Sequence, residues 1–386
     1  MLFPLRALGT SLLIIVILAV LLGIGLLLLR GLRLRRPHSG EHLALALLGG
    51  CGSGILALAL LGHCWVPSWI GALALIGAGI AGLIVERNRC REAIAHSLAI
   101  PLAVVAGVAG VIAMAGGFHP QNDAFTYASV SEWLQNQPFA HPVTLDPLHP
   151  ASTQLWQYQN VSYRMGTIHL LAAVQAAVPG TRALDVLPSL MAVGLVLIQA
   201  GVFLGLRLTL RVPLRSTWIG CLLSGIAASP ALYALAYGYL PQLYGMAFLI
   251  AGFAWYGLMA RAGTARPAHG CLAGLLFAAL ASAYSELLPI ACAGLALAGL
   301  QGALKGWRRF ALPMIGVAAM VAIAAGNIEL WRAAEALRHQ AGAVVGCHMD
   351  LGISGFVSLA VGVPFPAVLF SEMTFFAQVL LAVFGA

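Results

Sequence analysis

The chain has 386 residues, of which 61% are hydrophobic and only 8% are charged, and its formal net charge is +8. Its mean hydropathy of +0.94 excludes an ordinary soluble globular protein. Apolar runs of about 18 residues or more predict transmembrane helices. The basic residues lie in short clusters between these runs, which is typical of cytoplasmic loops and argues against nucleic-acid binding. The sequence therefore predicts an all-α, polytopic transmembrane helical bundle.

The first apolar run, 12–29, indicates the orientation of the chain. Arg6 precedes it, and four arginines follow it: Arg30, Arg33, Arg35 and Arg36. A secretory signal peptide carries its positive charge before the apolar core and a cleavage site of small residues after it. Because the charges here have the reverse order, we predict a retained helix with its N-terminus outside.

The next spans alternate in direction and end before a polar loop. They are 43–62, 69–85 and 98–117. Three later cationic loops then become cytoplasmic: 211–215, 261–266 and 305–309. This topology places 15 of the 20 Lys and Arg residues inside and leaves 9 of the 12 acids at or near the outer face. The positive-inside rule explains the cations but not the acids, so the acids predict a function at the outer face.

Segment 165–178 is apolar but too short to span. Its 14 residues measure about 21 Å as a helix, against a hydrocarbon core of about 30 Å. If it did span, every later cationic loop would be outside. We therefore expect a re-entrant or interfacial helix on the outer side, followed by an inward span at 185–207.

Segment 271–304 lies between two cationic loops and must therefore cross the membrane an even number of times. We predict a hairpin of two short helices, broken near the sequence SAYSELLP (282–289). This break places Tyr284, Glu286 and Pro289 at an outer apex, where a carboxylate costs far less than at mid-membrane. Glu286 is then either a loop-tip residue or a site residue that faces a shared cavity.

The spans and loops predict three regions. Residues 1–96 form N-terminal transmembrane hairpins. Residues 97–372 form a core with an outer loop at 118–164 and an outer interval at 327–372. The last run, 373–386, is too short to span, and we expect either an interfacial end or a sequence that continues.

The outer loop contains the strongest candidate residues. Asn122 suits a helix N-cap, and the apolar positions after it fit a helix over about 123–136. Asp123 lies in the first turn, where the helix dipole favours an acid, and Tyr127 follows one turn later on the same face. Asp123 is therefore either a favourable helix start or a functional acid.

Three aromatic residues of this loop, Phe125, Trp133 and Phe139, suit a helix that lies in the headgroup region. The glycines of 49–54 lie inside a span, where small residues allow close helix packing. His119, His141 and His149 share the loop with Asp123 and Asp146, but no tight spacing supports a metal site. Seven cysteines are present without a CxxC pair, and we expect no cofactor.

Four segments resemble the GT-C superfamily of integral-membrane glycosyltransferases, in its bacterial members, over roughly 97–370. They are HPQNDAFTYASVSEWL (119–134), MGTIHLLAAVQAAV (165–178), GYLPQLYGMAFLIAG (238–252) and SAYSELLPI (282–290). The resemblance implies a GT-C bundle in the bacterial cytoplasmic membrane that takes sugars from polyprenyl-phosphate donors at the outer face. It also implies an essential acid at Asp123. Many members have two adjacent acids where this chain has Asn122 and Asp123, and this difference favours a mechanism without a metal.

The chemistry of such a transfer suggests roles for these residues. Asp123 is the expected base for the acceptor hydroxyl, and Glu286 is expected to orient the acceptor or His119. Arg164 is either a phosphate ligand or an interfacial anchor. The further expected substrate-binding residues are His119, Asn122, Tyr127, Tyr284 and Gln242. The expected partners are a polyprenyl-phosphate-linked sugar, a glycan, lipid or protein acceptor, and membrane lipids.

Two other classes of function fit the same composition. Broken helices and re-entrant segments also occur in transporters and lipid flippases, where they form the substrate site. Such a protein is expected to carry ionisable residues at mid-depth, whereas the acids of this chain lie mostly at the outer ends of its spans. A non-catalytic membrane subunit is the third alternative.

Overall fold

The computed structural model describes nine ranges of the chain: 2–34, 39–88, 122–146, 150–161, 164–227, 234–235, 238–262, 267–304 and 308–344. The predicted span 98–117, the candidate residue His119 and the C-terminal segment 373–386 lie outside the described residues. So does most of the predicted outer interval 327–372, from residue 345 onward.

The described ranges form α-helices without a β-strand, which confirms the predicted all-α bundle. The helices are α1 (Leu2–Gly31), α2 (Ser39–His63), α3 (Ser68–Val85), α4 (Asn122–Asn136), α5 (Pro150–Asn160), α6 (Gly166–Ala177), α7 (Ala183–Leu204), α8 (Leu214–Ala227), α9 (Leu240–Ala262), α10 (Pro267–Ala283), α11 (Leu288–Leu304) and α12 (Arg308–Val344). A π-helical turn, Gly205–Thr209, extends α7, and a 3-10 turn, Ser285–Leu287, lies between α10 and α11.

Several helices are long and apolar enough to cross a membrane. In the described part of the chain there are five: Leu8–Gly31, Gly40–His63, Ser68–Val85, Ala183–Thr209 and Ile315–His339. The first four agree with the spans predicted from the sequence. The fifth belongs to α12, which joins the predicted span 310–327 to the polar residues after it. These helices identify the chain as a membrane protein.

Helix α2 lies at the centre of the bundle, where it packs on α1, α6, α7 and α10. The contact with α1 is close because glycine replaces larger residues. A Cβ atom on Gly50 would lie 1.8 Å from the carbonyl oxygen of Leu21, and one on Gly25 would lie 1.6 Å from that of Ala46. The predicted packing role of the glycines in 49–54 is therefore confirmed at Gly50.

Helix α6 has 12 residues and is about 18 Å long, so it is too short to span the membrane, as predicted. It packs between α2, α3 and α4, and most of its side chains are buried inside the bundle. This burial agrees with the re-entrant interpretation and not with a helix that lies on the membrane surface.

Two local irregularities shape the end of the bundle that carries the outer loop. The helix predicted to break near SAYSELLP does so at Tyr284, whose φ of −153° and ψ of 84° are not helical. Helix α12 bends at Asn327, which has a φ of 26°. Asparagine tolerates positive φ better than most residues, and its side-chain oxygen accepts a hydrogen bond from the backbone N–H of Ile328.

Candidate functional site

Polar side chains from four separate segments collect beside the break between α10 and α11. They come from α4, from the residues before α6, from the start of α9 and from the break itself. We call this group the Arg164 cluster, and its members are Asp123, Tyr127, Arg164, Gln242, Tyr284 and Glu286. All six are candidates from the sequence, although they are up to 163 positions apart.

Arg164 is the central cation of this cluster. Its guanidinium forms an ion pair with Glu286, and the side chains of the two residues are 13% and 22% exposed. The same guanidinium lies over the ring of Tyr284, with 4.8 Å between the guanidinium carbon and the ring centroid. A largely buried cation with a carboxylate and an aromatic face is well suited to bind an anion by exchange with the carboxylate.

Tyr127 connects Asp123 to Arg164. Its ring is 1% exposed, and its hydroxyl donates to Oδ2 of Asp123 at 3.5 Å. Burial raises the pKa of Tyr127 to about 12, against an opposing effect of Arg164. The hydroxyl is protonated at neutral pH, as an ordinary tyrosine is, and acts as a donor. Asp123 itself is exposed, so its carboxylate is accessible from the surface of the protein.

Gln242 and Tyr284 form the other side of the cluster. Nε2 of Gln242 donates to the Tyr284 hydroxyl at 3.4 Å. Two buried atoms of the Arg164 cluster have no hydrogen-bond partner among the described residues, namely Oε1 of Gln242 and Nε of Arg164. One is an acceptor suited to a sugar hydroxyl, and the other is a donor suited to a phosphate oxygen. Both therefore offer unused hydrogen bonds to a ligand.

Two glycines allow the break to approach its neighbours. A Cβ atom on Gly245 of α9 would lie 2.5 Å from Cβ of Tyr284, and one on Gly166 would lie 2.5 Å from Oγ of Ser282. Real Cβ contacts are not this short, so any larger residue at these positions would displace the break. The resemblance pointed to both segments, but spacing alone did not predict either contact.

The other candidate residues are not part of this cluster. His119 and His149 lie outside the described residues, and Asn122 begins α4 without a described side chain. His141 contacts Trp65 and Trp133 at the end of α2, with ring centroids 6.2 Å and 6.5 Å away. In the described ranges, no three His, Cys, Asp or Glu residues are arranged to hold a metal ion.

A second polar group, which the sequence analysis missed, lies beside the first. We call it the Glu329 cluster: Glu329, Arg332, His63, Ser282 and His169. The Glu329 carboxylate is 2.8 Å from Nε2 of His63, 3.0 Å from Oγ of Ser282 and 3.6 Å from Nε of Arg332. These partners come from α2, α10 and α12, so a buried carboxylate joins three helices.

Phe139 closes the Glu329 cluster and corrects an expectation. Its ring contacts those of His63 and His169 edge-on, with centroids 5.1 Å and 5.4 Å away, and the Arg332 guanidinium lies 4.8 Å above it. Phe139 is 4% exposed, so it is not a headgroup anchor. Trp133 is half-buried, and of the three predicted anchors only Phe125 is exposed. Phe139 is buried because its ring packs against residues of the Glu329 cluster, and the sequence alone did not predict these contacts.

A signal for the Glu329 cluster was present but incomplete. Glu329 and Arg332 are three residues apart on one helix, so they share a face. His63, the partner of Glu329, is 266 positions away in the sequence, at the end of an apolar span. In the sequence, Glu329 and Arg332 fall in a predicted outer polar interval, where burial was not expected.

The fold and its apolar helices define the class of the protein as an all-α membrane protein with buried polar clusters at one end of its bundle. Comparisons with protein-family models, with curated proteins and with solved structures found no match.

Proposed function

We propose that the protein is a membrane glycosyltransferase of the GT-C type. It moves a sugar from a polyprenyl-phosphate donor to an acceptor at the outer face of the bacterial cytoplasmic membrane. The observation that carries the proposal is the contact chain from Asp123 through Tyr127 and Arg164 to Glu286. An accessible carboxylate and a buried cation with spare donor capacity are the two groups that such a transfer needs.

Asp123 is the proposed general base. The acceptor hydroxyl oxygen attacks the anomeric carbon of the donor, and the bond from that carbon to the phosphate oxygen breaks. The acceptor proton moves to the Asp123 carboxylate, and polyprenyl phosphate leaves with the bonding electrons. Tyr127 keeps the carboxylate oriented through the hydrogen bond that its hydroxyl donates.

Arg164 is the proposed ligand of the donor phosphate. Its guanidinium already binds a carboxylate, that of Glu286. A phosphate would replace this partner and can accept two hydrogen bonds from the planar guanidinium. The exchange would release Glu286 to accept hydrogen bonds from the sugar or the acceptor. A monophosphate carries less charge than a diphosphate, so one arginine and neighbouring dipoles suffice without a metal.

An apolar cavity supports a lipid-linked donor. It measures about 150 Å³ and lies between α1, α3 and α6. Its lining includes Leu13, Leu21, Leu75, Leu170, Val174 and Val178. An isoprenoid chain suits such a lining because it removes only apolar surface from its surroundings. Helix α6 starts two residues after Arg164, so one element would contact both the phosphate and part of the chain.

A transporter or lipid flippase is the second candidate function, and the Glu329 cluster is the observation that favours it. Ionisable residues buried within a membrane bundle often mark substrate or proton pathways. Glu329 and Arg332 are 4% and 7% exposed and lie in a helix long enough to span. Uptake of a lipid-linked sugar into sealed vesicles, without formation of a glycosylated product, would identify this class.

The test of the proposed function is sugar transfer by the purified chain in nanodiscs, with polyprenyl-phosphate sugars as donors. Asp123→Asn removes the base but keeps the size of the side chain. We expect the variant to be slower by 100-fold or more, because general bases contribute about 10²–10⁴ to rates. Glu132→Gln is the matched control, since Glu132 is an exposed acid on the same helix.

The control is expected to stay within about twofold of the unmodified chain, since a surface carboxylate away from the reacting atoms has no part in the proton transfer. Transfer by Asp123→Asn within a few-fold of the unmodified chain would remove Asp123 from the mechanism. Slower transfer by both variants would indicate that the net charge of α4 affects the rate, and that a general base at Asp123 does not explain the loss.

A further inference from the structure

Ser282 lies between the two polar clusters. It occupies the last turn of α10, two residues before Tyr284 and four before Glu286. On one side its hydroxyl donates to Oε2 of Glu329 at 3.0 Å. On the other side it lies against the backbone of Gly166, where an added Cβ atom would be 2.5 Å from Oγ.

Two parts of the Arg164 cluster are therefore close to Ser282: Arg164 on one side, and Tyr284 with Glu286 on the other. Arg164 precedes Gly166 by two residues, and Tyr284 and Glu286 follow Ser282 directly along the chain. A shift of Ser282 would move the ion pair of Arg164 and Glu286 from both sides. The hydroxyl of Ser282 is in turn held by the Glu329 carboxylate.

The Glu329 carboxylate occupies a closely defined position in the bundle. It is 4% exposed, and an ionised carboxylate at such a site is costly unless charged and polar partners surround it. His63 and Arg332 supply these partners from α2 and α12. Arg332 is held in place because it donates to the carbonyl of Tyr158 at 2.7 Å and stacks on Phe139. The carboxylate is therefore well placed to determine where Ser282 sits.

We propose that Glu329 is a positioning residue of the candidate site. Through Ser282 it holds the break at Tyr284 and the start of α6 together, so that Arg164 meets Glu286. Glu329 does not touch the substrate in this proposal. The structural part of the proposal is independent of the reaction, and only its activity measurement rests on the proposed glycosyl transfer.

The structural test uses the accessibility of Ser285, which is 1% exposed and lies in the break. In a chain without its native cysteines, Ser285→Cys is expected to react slowly with a maleimide. Glu329→Ala and Ser282→Ala are each expected to raise this rate by tenfold or more, because each frees the break. If Glu329 acts through Ser282, the double variant reacts no faster than the faster single variant.

Two controls separate positioning from a general loss of stability. Glu335→Gln removes an acid from the same helix, where Glu335 pairs only loosely with His339 at 4.0 Å. Gly50→Ala is expected to destabilise the bundle at the contact between α2 and α1, which includes no member of either cluster. Neither control is expected to raise the labelling rate of Ser285→Cys at temperatures below the unfolding temperature of that control. If Glu329→Ala does not fold, Ser282→Ala alone tests the positioning role. An unchanged labelling rate in that variant overturns the proposal.

Activity provides a second measurement. Positioning predicts that Ser282→Ala lowers kcat/KM for sugar transfer by about tenfold, since both the proposed phosphate ligand Arg164 and its partner Glu286 lose their places. If the unmodified chain transfers no sugar, the proposed function fails while labelling still tests the role of Glu329. If labelling rises in both variants while kcat/KM is unchanged, the break moves without an effect on transfer and the positioning role is wrong.

Discussion

At the scale of single residues, Arg164 is the proposed determinant of what the candidate site binds. Its side chain is buried with one carboxylate and one aromatic ring, and its Nε has no partner among the described residues. A guanidinium offers a planar fork of donors, whereas the ammonium of lysine is a point charge. Shape as well as charge is therefore expected to contribute to recognition of the donor phosphate.

Arg164→Lys tests this expectation. The variant keeps the charge but loses the fork, so kcat/KM for a polyprenyl-phosphate sugar is expected to fall by about 10- to 100-fold, equivalent to about 1.4–2.7 kcal/mol. Arg338→Lys is the control, since Arg338 is an exposed arginine on α12. Full activity in Arg164→Lys would show that a simple positive charge is enough.

The acids of the outer loop lead to a prediction about metals. Asp123 has Asn122 beside it where a bound divalent cation prefers several carboxylate or carbonyl oxygens. Transfer from a defined polyprenyl-phosphate sugar is therefore expected to continue in excess EDTA. Loss of turnover that Mg²⁺ or Mn²⁺ restores would contradict the mechanism without a metal and favour a diphosphate donor.

At the scale of helices, glycine determines how closely α1, α2 and α3 pack. A Cβ atom on Gly23 of α1 would lie 2.0 Å from the carbonyl oxygen of Gly79 on α3, and Gly50 of α2 approaches Leu21 of α1 in the same way. Membrane helices associate through such close contacts because lipid provides no hydrophobic driving force between them. The three helices therefore depend on small residues for their packing.

Gly50→Ala is expected to destabilise the protein, because the added methyl would lie 1.8 Å from the backbone of Leu21 and the helices would have to separate. Such overpacking costs about 1–3 kcal/mol. Gly54→Ala is the matched control on the same helix, where the nearest atom, in the side chain of Leu75, would be 3.6 Å away. Thermal unfolding in detergent measures both. Equal unfolding temperatures in the two variants would contradict the close contact at Gly50.

At the scale of the whole molecule, the two polar clusters lie at one end of the bundle, where the proposed function would be carried out. The end of α2, the 138–146 loop and the break at Tyr284 lie near the Arg164 and Glu329 clusters. The opposite end of α2 carries Glu41, which pairs with Arg207 at 3.5 Å. The cationic residues of the sequence predict that this second end is cytoplasmic.

Cysteine labelling tests this orientation. Thr144 is exposed in the outer loop, and Arg87 follows α3 at the other end of the bundle. In a chain without native cysteines, Thr144→Cys is expected to react with an impermeant maleimide in intact cells, and Arg87→Cys only after permeabilisation. The reverse pattern would place the candidate site in the cytoplasm and exclude transfer at the outer face. Ser285 is less suitable for this purpose because it is buried.

Composition and local pattern were sufficient to predict the class and the elements of this protein. Long apolar runs predict membrane-spanning helices. Lipid offers no hydrogen-bond partners, and a helix satisfies its own backbone hydrogen bonds. Helix α4, the short helix α6 and the break at Tyr284 also follow from local signals: a helical apolar pattern, an insufficient length and an interrupted apolar run. Helix α4 begins at Asn122, one residue before the predicted start. These features depend on residues that are neighbours in the sequence.

Only the tertiary structure decided which polar groups meet. The pairing of Arg164 with Glu286 and that of His63 with Glu329 join residues 122 and 266 positions apart. Their contacts depend on how α2, α6, α10 and α12 cross, and the apolar surfaces of membrane helices specify such crossings poorly in a single sequence. Glu329 therefore looks like a surface acid in the sequence and is a buried carboxylate in the fold, because its compensating partners arrive from other helices.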